Sequence, residues 1–157
     1  MLSPAITASI VSALLSGIIS YLVSRKVAKE QVQTQIQLEN QQRLREWYER
    51  CIVLVKRTSD DWWEVMTSRE KEYDIDAETK FLDRREELRE HAARGKGLGA
   101  DEEVVQDLQR AAGSLGHAVG ELDSGKQLAT IEKKTLLPTL DSIETACREK
   151  EIVYVSD

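Results

Sequence analysis

"AITASIVSALLSGIISYLVSRK", Ala5 to Lys26, holds no charge before Arg25, yet a serine, alanine or glycine recurs at almost every second or third position. The full uncharged run, Leu2 to Ser24, is 23 residues long. At a rise of about 1.5 Å per helical residue it matches the roughly 30 Å hydrocarbon core of a bilayer. A secretory signal carries positive charge before its apolar run and a small-x-small cleavage site after it. Here Arg25, Lys26 and Lys29 follow the run and nothing charged precedes it. The pattern predicts a single-pass signal anchor over 1–24 in the cell membrane, amino terminus outside and carboxyl domain cytoplasmic, because flanking positive charge stays on the cytoplasmic side. Arg25, Lys26 and Lys29 are then the headgroup contacts, each contributing about 1 kcal/mol beside an anionic leaflet.

Winding the run as a helix explains the small residues. Residues four apart share a face, so Ala5, Ser9, Ala13 and Gly17 form one row, and Ala8, Ser12, Ser16 and Ser20 form the row beside it. The remaining rows are bulky: Ile6, Ile10, Leu14, Ile18 and Leu22, then Thr7, Val11, Leu15, Ile19 and Val23. Helices in lipid associate through close backbone approach and interhelical hydrogen bonds rather than hydrophobic drive, which two adjacent small rows permit. Self-association through this face is the expectation. A lone span whose serines bond back to their own helix, and a serine-lined pore, are the alternatives.

The 157-residue chain has a net charge of −6, unevenly distributed. Residues 25–57 carry eight Lys/Arg against four Asp/Glu, and residues 58–157 carry fourteen against twenty-four. A distal part this acidic argues against nucleic acid as a partner, since phosphate-backbone affinity comes from clustered Lys and Arg. Cys51 and Cys147 lie far apart in sequence with no ligand spacing, which suits buried, reduced thiols rather than a zinc site.

Two prolines and eight glycines among many Glu, Lys, Arg, Gln, Ala and Leu favour an all-α fold. Between Gly17 and Gly95 there is no glycine or proline, so the span is expected to continue into a basic helical stalk over 25–57. Val32 and Ile36 form only a thin seam there, short of a dedicated coiled coil, before Leu44, Trp47, Cys51 and Leu54 begin an amphipathic stripe. A helix break is expected at Thr58 to Asp61, where Thr58 or Ser59 can cap and two aspartates can fill a first turn. Residues 58–157 then form a small antiparallel bundle. Its helices are expected over about 77–94, ending at "GKGLG", over 101–122 and over 126–150, with "EIVYVSD" as an extended tail. The cleanest stripe is Val104, Leu108, Ala111, Leu115, Ala118 and Leu122.

Chemical motifs are few. "GELDSGKQ", Gly120 to Gln127, approaches a phosphate-binding loop but has Gln127 where a magnesium-holding hydroxyl is required. Asp74, Asp76 and Glu78 begin a calcium-loop spacing that Thr79 and Arg85 then break. No nucleophile, base and orienting group belong together, so no enzyme activity, cofactor or metal is expected. Trp47, Trp62 and Trp63 make the aromatic concentration; adjacent tryptophans point about 100° apart on a helix, which makes these three candidate partner contacts. Gly113, Gly116 and Gly120 suggest close helix approach. The functional expectation is a membrane-anchored helical scaffold, adaptor or complex subunit. It self-associates in the lipid bilayer and presents an acidic helical domain to a cytoplasmic protein partner. The alternative is a small oligomeric channel or permeabilising effector controlled by that domain.

Overall fold

The computed structural model describes the backbone of residues 4–68, 75–121 and 132–155, and side chains over 20–67, 77–121 and 134–151. Among the described residues the protein is helical, with no strand: α1 (Pro4–Ser68), α2 (Ile75–Leu98), α3 (Glu102–Gly120) and α4 (Leu137–Val155), the last preceded by a π-turn over Glu132–Leu136. The chain divides into two compact units, Met1–Asn40 and Gln41–Asp157.

In the first unit every described side chain, from Ser20 to Asn40, is exposed. Val32 and Ile36 are 55% and 53% exposed, so the thin apolar seam has no cover from the chain itself. Lys26 pairs with Glu30 at 3.9 Å, both exposed, and Arg25 and Lys29 are exposed beside them. Among the described residues no helix is long and apolar enough to cross a membrane. The expected span falls mostly on 1–19, whose side chains lie outside the described residues. With it go the packing positions Ala5, Ala8, Ser9, Ser12, Ala13, Ser16 and Gly17; Ser20 is exposed.

The second unit is a four-helix bundle. Glu64 meets Lys80 (2.9 Å) and Trp47 meets His91, so α1 and α2 run antiparallel. Asp107 meets Ser142 (3.3 Å) and Asp101 meets Lys150 (2.8 Å), so α3 and α4 do as well. Apolar stripes from all four helices fill one core: Tyr48, Cys51, Val55 and Trp62 from α1; Phe81, Leu88 and Ala92 from α2; Val104, Leu108, Ala111 and Leu115 from α3; Leu140, Ile143 and Cys147 from α4, with Leu136 from the π-turn before it. Hydrophobic burial along such stripes, rather than intrinsic propensity, supplies most of a bundle's stability.

The break expected at Thr58 to Asp61 does not occur. Thr58, almost fully buried, turns its hydroxyl back to the Leu54 carbonyl (2.8 Å) and so leaves the helix intact instead of capping a new one. Asp61 serves mid-helix as the partner of Arg84 on α2, which also holds Glu87. Burial acts against the Arg84 cation, but these two carboxylates hold its pKa above the ordinary value.

The turn from α2 to α3 is the best-defined local motif. Gly99 takes φ of 75°, the left-handed conformation that a residue without Cβ adopts freely. The Ala100 N–H reaches the Gly95 carbonyl (2.9 Å) and the Gly99 N–H reaches that of Lys96 (3.3 Å), the paired bonds of a Schellman ending. Asp101 then caps α3 by accepting from the Glu103 N–H (3.0 Å). The same residue ties the bundle together, since its own N–H donates to the Tyr48 hydroxyl (3.0 Å) and its carboxylate takes Lys150.

The Lys150 ammonium, followed by the Glu103 N–H, holds the Asp101 carboxyl below its ordinary pKa of 3.8. A depressed carboxylate contributes stability that is present above the unfolded-state pKa and lost as pH falls through the folded one. Asp101→Ala is expected to cost about 1 kcal/mol at neutral pH, the usual worth of an N-cap. In urea titrations the gap between the two proteins should narrow below pH 3.8, and a gap unchanged at pH 2.5 would refute the role.

Two further expectations change. The terminal "EIVYVSD" continues α4 as helix through Val155 rather than as an extended tail. A Cβ on Gly113 or Gly120 would meet nothing within 4 Å, so these two do not mark a close helix crossing, whereas one on Gly116 would stand 3.3 Å from Arg85 Nε on α2, tighter than ordinary contact. The close approach is at Gly95, where a Cβ would lie 2.3 Å from Trp47 Cζ2. Pro138 sits at the second position of α4, directly after the π-turn, which absorbs the change of register that its missing N–H imposes.

Candidate functional site

A concentration of charged and aromatic side chains lies between α1 and α2 in the second unit. Arg43, Glu46, Trp47 and Arg50 fall three, four and seven residues apart, on one face of α1. His91 and Arg94 face them from α2, with Gly97 and Leu98 at the margin, enclosing a hollow of about 370 Å³. Its floor is rigid. The Trp47 Nε1–H donates to the His91 carbonyl (2.9 Å), and His91 Nε2 donates to the Trp47 carbonyl (3.1 Å), which fixes the proton on Nε2. The two rings stack at 4.7 Å with planes 6° apart, and Tyr48 meets Trp47 edge-on at 4.9 Å.

The walls are charged. Arg43 and Arg50 have no ion-pair partner among the described residues, and Arg94 pairs only with exposed Glu90 on its own helix (3.4 Å). Glu46 accepts a hydrogen bond from Gln42 (3.3 Å). Burial pushes the His91 pKa down; Arg94 and Arg50 add to that, against the opposing pull of the Trp47 carbonyl. His91 is therefore neutral at pH 7, and the positive field of the walls reaches the floor.

Of the aromatic candidates, Trp47 and Trp62 belong to the core. Trp62 is fully buried and stacks on Phe81 at 5.2 Å, which leaves Trp63, 49% exposed, as the accessible member. Cys51 and Cys147, 96 positions apart in sequence, come together in the core; the hydrogen bond that the Cys51 S–H gives to Cys147, then burial, pushes the Cys51 thiol far up. Cys51 is therefore not a reactive thiolate. Among the described residues no cluster of His, Cys, Asp or Glu is arranged to hold a metal ion. Asp74 and most of the Gly120–Gln127 segment lie outside the described residues.

The bundle and its groove define a class, a small antiparallel helical domain with a groove between two of its helices. Comparison with protein-family models, curated proteins and solved structures finds no match. The groove was readable in part: Arg43, Glu46, Trp47 and Arg50 share a helix face in the sequence. Its other wall depends on how α2 pairs with α1, which no local pattern states.

Proposed function

We propose that the protein is a membrane-anchored helical adaptor that self-associates through the small-residue face of its amino-terminal helix and presents an acidic helical bundle to cytoplasmic proteins. One observation carries this reading. The uncharged run and the first core stripe belong to a single helix, Pro4–Ser68, whose side chains over 20–40 are all exposed, apolar Val27, Val32, Ile36 and Leu38 among them. A lone helix with uncovered apolar positions is marginal in water, and lipid or a second copy supplies the missing cover. Arg25, Lys26 and Lys29, exposed just past the run, suit an anionic leaflet. The excess of Asp and Glu beyond residue 57 suits a basic protein surface.

The full chain should stay in the membrane pellet through an alkaline carbonate wash and cross-link as an oligomer. Ser16→Leu with Gly17→Leu should leave it anchored but monomeric, because bulky side chains block close backbone approach. A full-length chain that is soluble and monomeric without detergent would overturn the anchor, and unchanged cross-linking in the double variant would overturn the packing face. Ion flux through reconstituted vesicles that responds to the same substitutions would replace the adaptor reading with that of a channel.

A further inference from the structure

The groove between α1 and α2 gathers positive charge in a bundle that is otherwise acidic. Arg43 and Arg50 project from one face of α1 and Arg94 from the facing side of α2, all three exposed, with Glu46 as the one carboxylate on the wall. Crowding like charges is unfavourable unless something of opposite sign shares the space. Glu46 is the one such group on this wall, and neither Arg43 nor Arg50 has an ion-pair partner among the described residues.

The hollow, about 370 Å³, falls within the roughly 300–1,000 Å³ of small-molecule sites. Its floor is pre-organised by the reciprocal Trp47 and His91 hydrogen bonds. Trp47 and Leu98 offer apolar surface, and Gly97, with open space where a side chain would stand, leaves the mouth clear.

We propose that this groove binds a small ligand bearing a phosphate group, its oxygens held by Arg43, Arg50 and Arg94 and its apolar part resting on Leu98 and the edge of Trp47. Three guanidiniums lining one hollow from two helices offer more N–H donors than the two oxygens of a carboxylate can use, whereas a tetrahedral phosphate has more oxygens to share among them. Three arginines against Glu46 and Glu90, the partner of Arg94, with His91 neutral, leave a net positive charge that favours an anionic ligand. A soluble phosphorylated metabolite and a phosphomonoester lipid headgroup share this chemistry.

The test uses the full chain in zwitterionic detergent and follows the imidazole NMR signals of its two histidines, His91 and His117. Inorganic pyrophosphate is titrated at ionic strength held constant with sodium chloride. His91 should shift saturably and its pKa should rise as the field of Arg50 and Arg94 is neutralised, while His117, exposed on α3, stays still. Arg43→Gln with Arg50→Gln should weaken binding by roughly a hundredfold or more, since each of the two charge-assisted contacts removed is worth about tenfold or more. Both side chains are exposed, so helix content should be unchanged.

Lipid discs containing phosphatidic acid, compared with pure phosphatidylcholine discs, separate the two sources: a His91 shift in the former alone assigns the ligand to the membrane. The proposal is overturned if His91 fails to shift saturably in either phosphate arm. An unchanged affinity in the double variant overturns it too, as does a polyglutamate peptide that moves His91 where both phosphate arms do not. None of these results bears on anchoring, which the carbonate wash reads separately.

Discussion

Trp62→Ala should cost about 3–5 kcal/mol, the largest loss expected from any single substitution in the bundle. The side chain is fully buried and its ring lies nearly parallel to that of Phe81 on the facing helix (5.2 Å, 14°), so truncation leaves a cavity with an aromatic wall. Trp62→Phe should cost much less, about 1 kcal/mol. The indole N–H has no acceptor among the described residues, and removing a buried unpaired donor recovers part of the packing loss. Trp63→Ala, at a half-exposed neighbour, should change stability by no more than about 0.5 kcal/mol. Urea unfolding of the full chain followed by circular dichroism gives all three values. A phenylalanine variant as unstable as the alanine variant would show that the unpaired N–H carries no penalty.

Gly95→Ala and Gly97→Ala should move stability in opposite directions, although both replace a glycine inside α2. Alanine is favoured over glycine by about 1 kcal/mol in a helix interior. At Gly97 the added Cβ meets nothing within 4 Å, so a gain of about 0.5 kcal/mol should appear near this helix end. At Gly95 the Cβ would stand 2.3 Å from Trp47 Cζ2 and 2.6 Å from Cε2. The indole cannot swing aside without giving up its bond to the His91 carbonyl and its stack on the imidazole. Overpacking of this kind costs about 1–3 kcal/mol and the lost hydrogen bond about 1 more, which together exceed the propensity gain. The net loss should be about 2 kcal/mol, seen as a drop in Tm of roughly 8–16 °C for a bundle of this size. A Gly95→Ala protein as stable as the native one would mean that Trp47 is not fixed against α2.

How far the sequence could be read depended on whether a signal was local. Val104, Leu108, Ala111, Leu115 and Ala118 announced α3 by spacing alone, and all five are buried. Leu136, Leu140, Ile143 and Cys147 did the same for the last helix. The turn at "GKGLG" was visible as composition, but only Gly99 uses the left-handed conformation; Gly95 and Gly97 are helical.

The false break at Thr58 to Asp61 arose because Thr and Asp can cap a helix or sit within one, and only the position of Arg84 on the neighbouring helix decides between them. Gly113 and Gly120 stand in open space for a related reason: a run of small residues says that space exists, and tertiary packing says whether anything enters it, as Arg85 does at Gly116. The arginine groove had half its wall in plain view on α1. Its other half was hidden because the register that sets Gly95 against Trp47 is a long-range property.

The buried pair Cys51 and Cys147 gives the bundle an internal clock. Neither sulfur is reachable in the closed form, and the chain has no other cysteine, so an alkylating reagent can consume thiol only while the helices are apart. With reagent in excess, the labelling rate therefore counts openings per second, and a ligand that seats in the arginine groove should slow it in proportion to its occupancy.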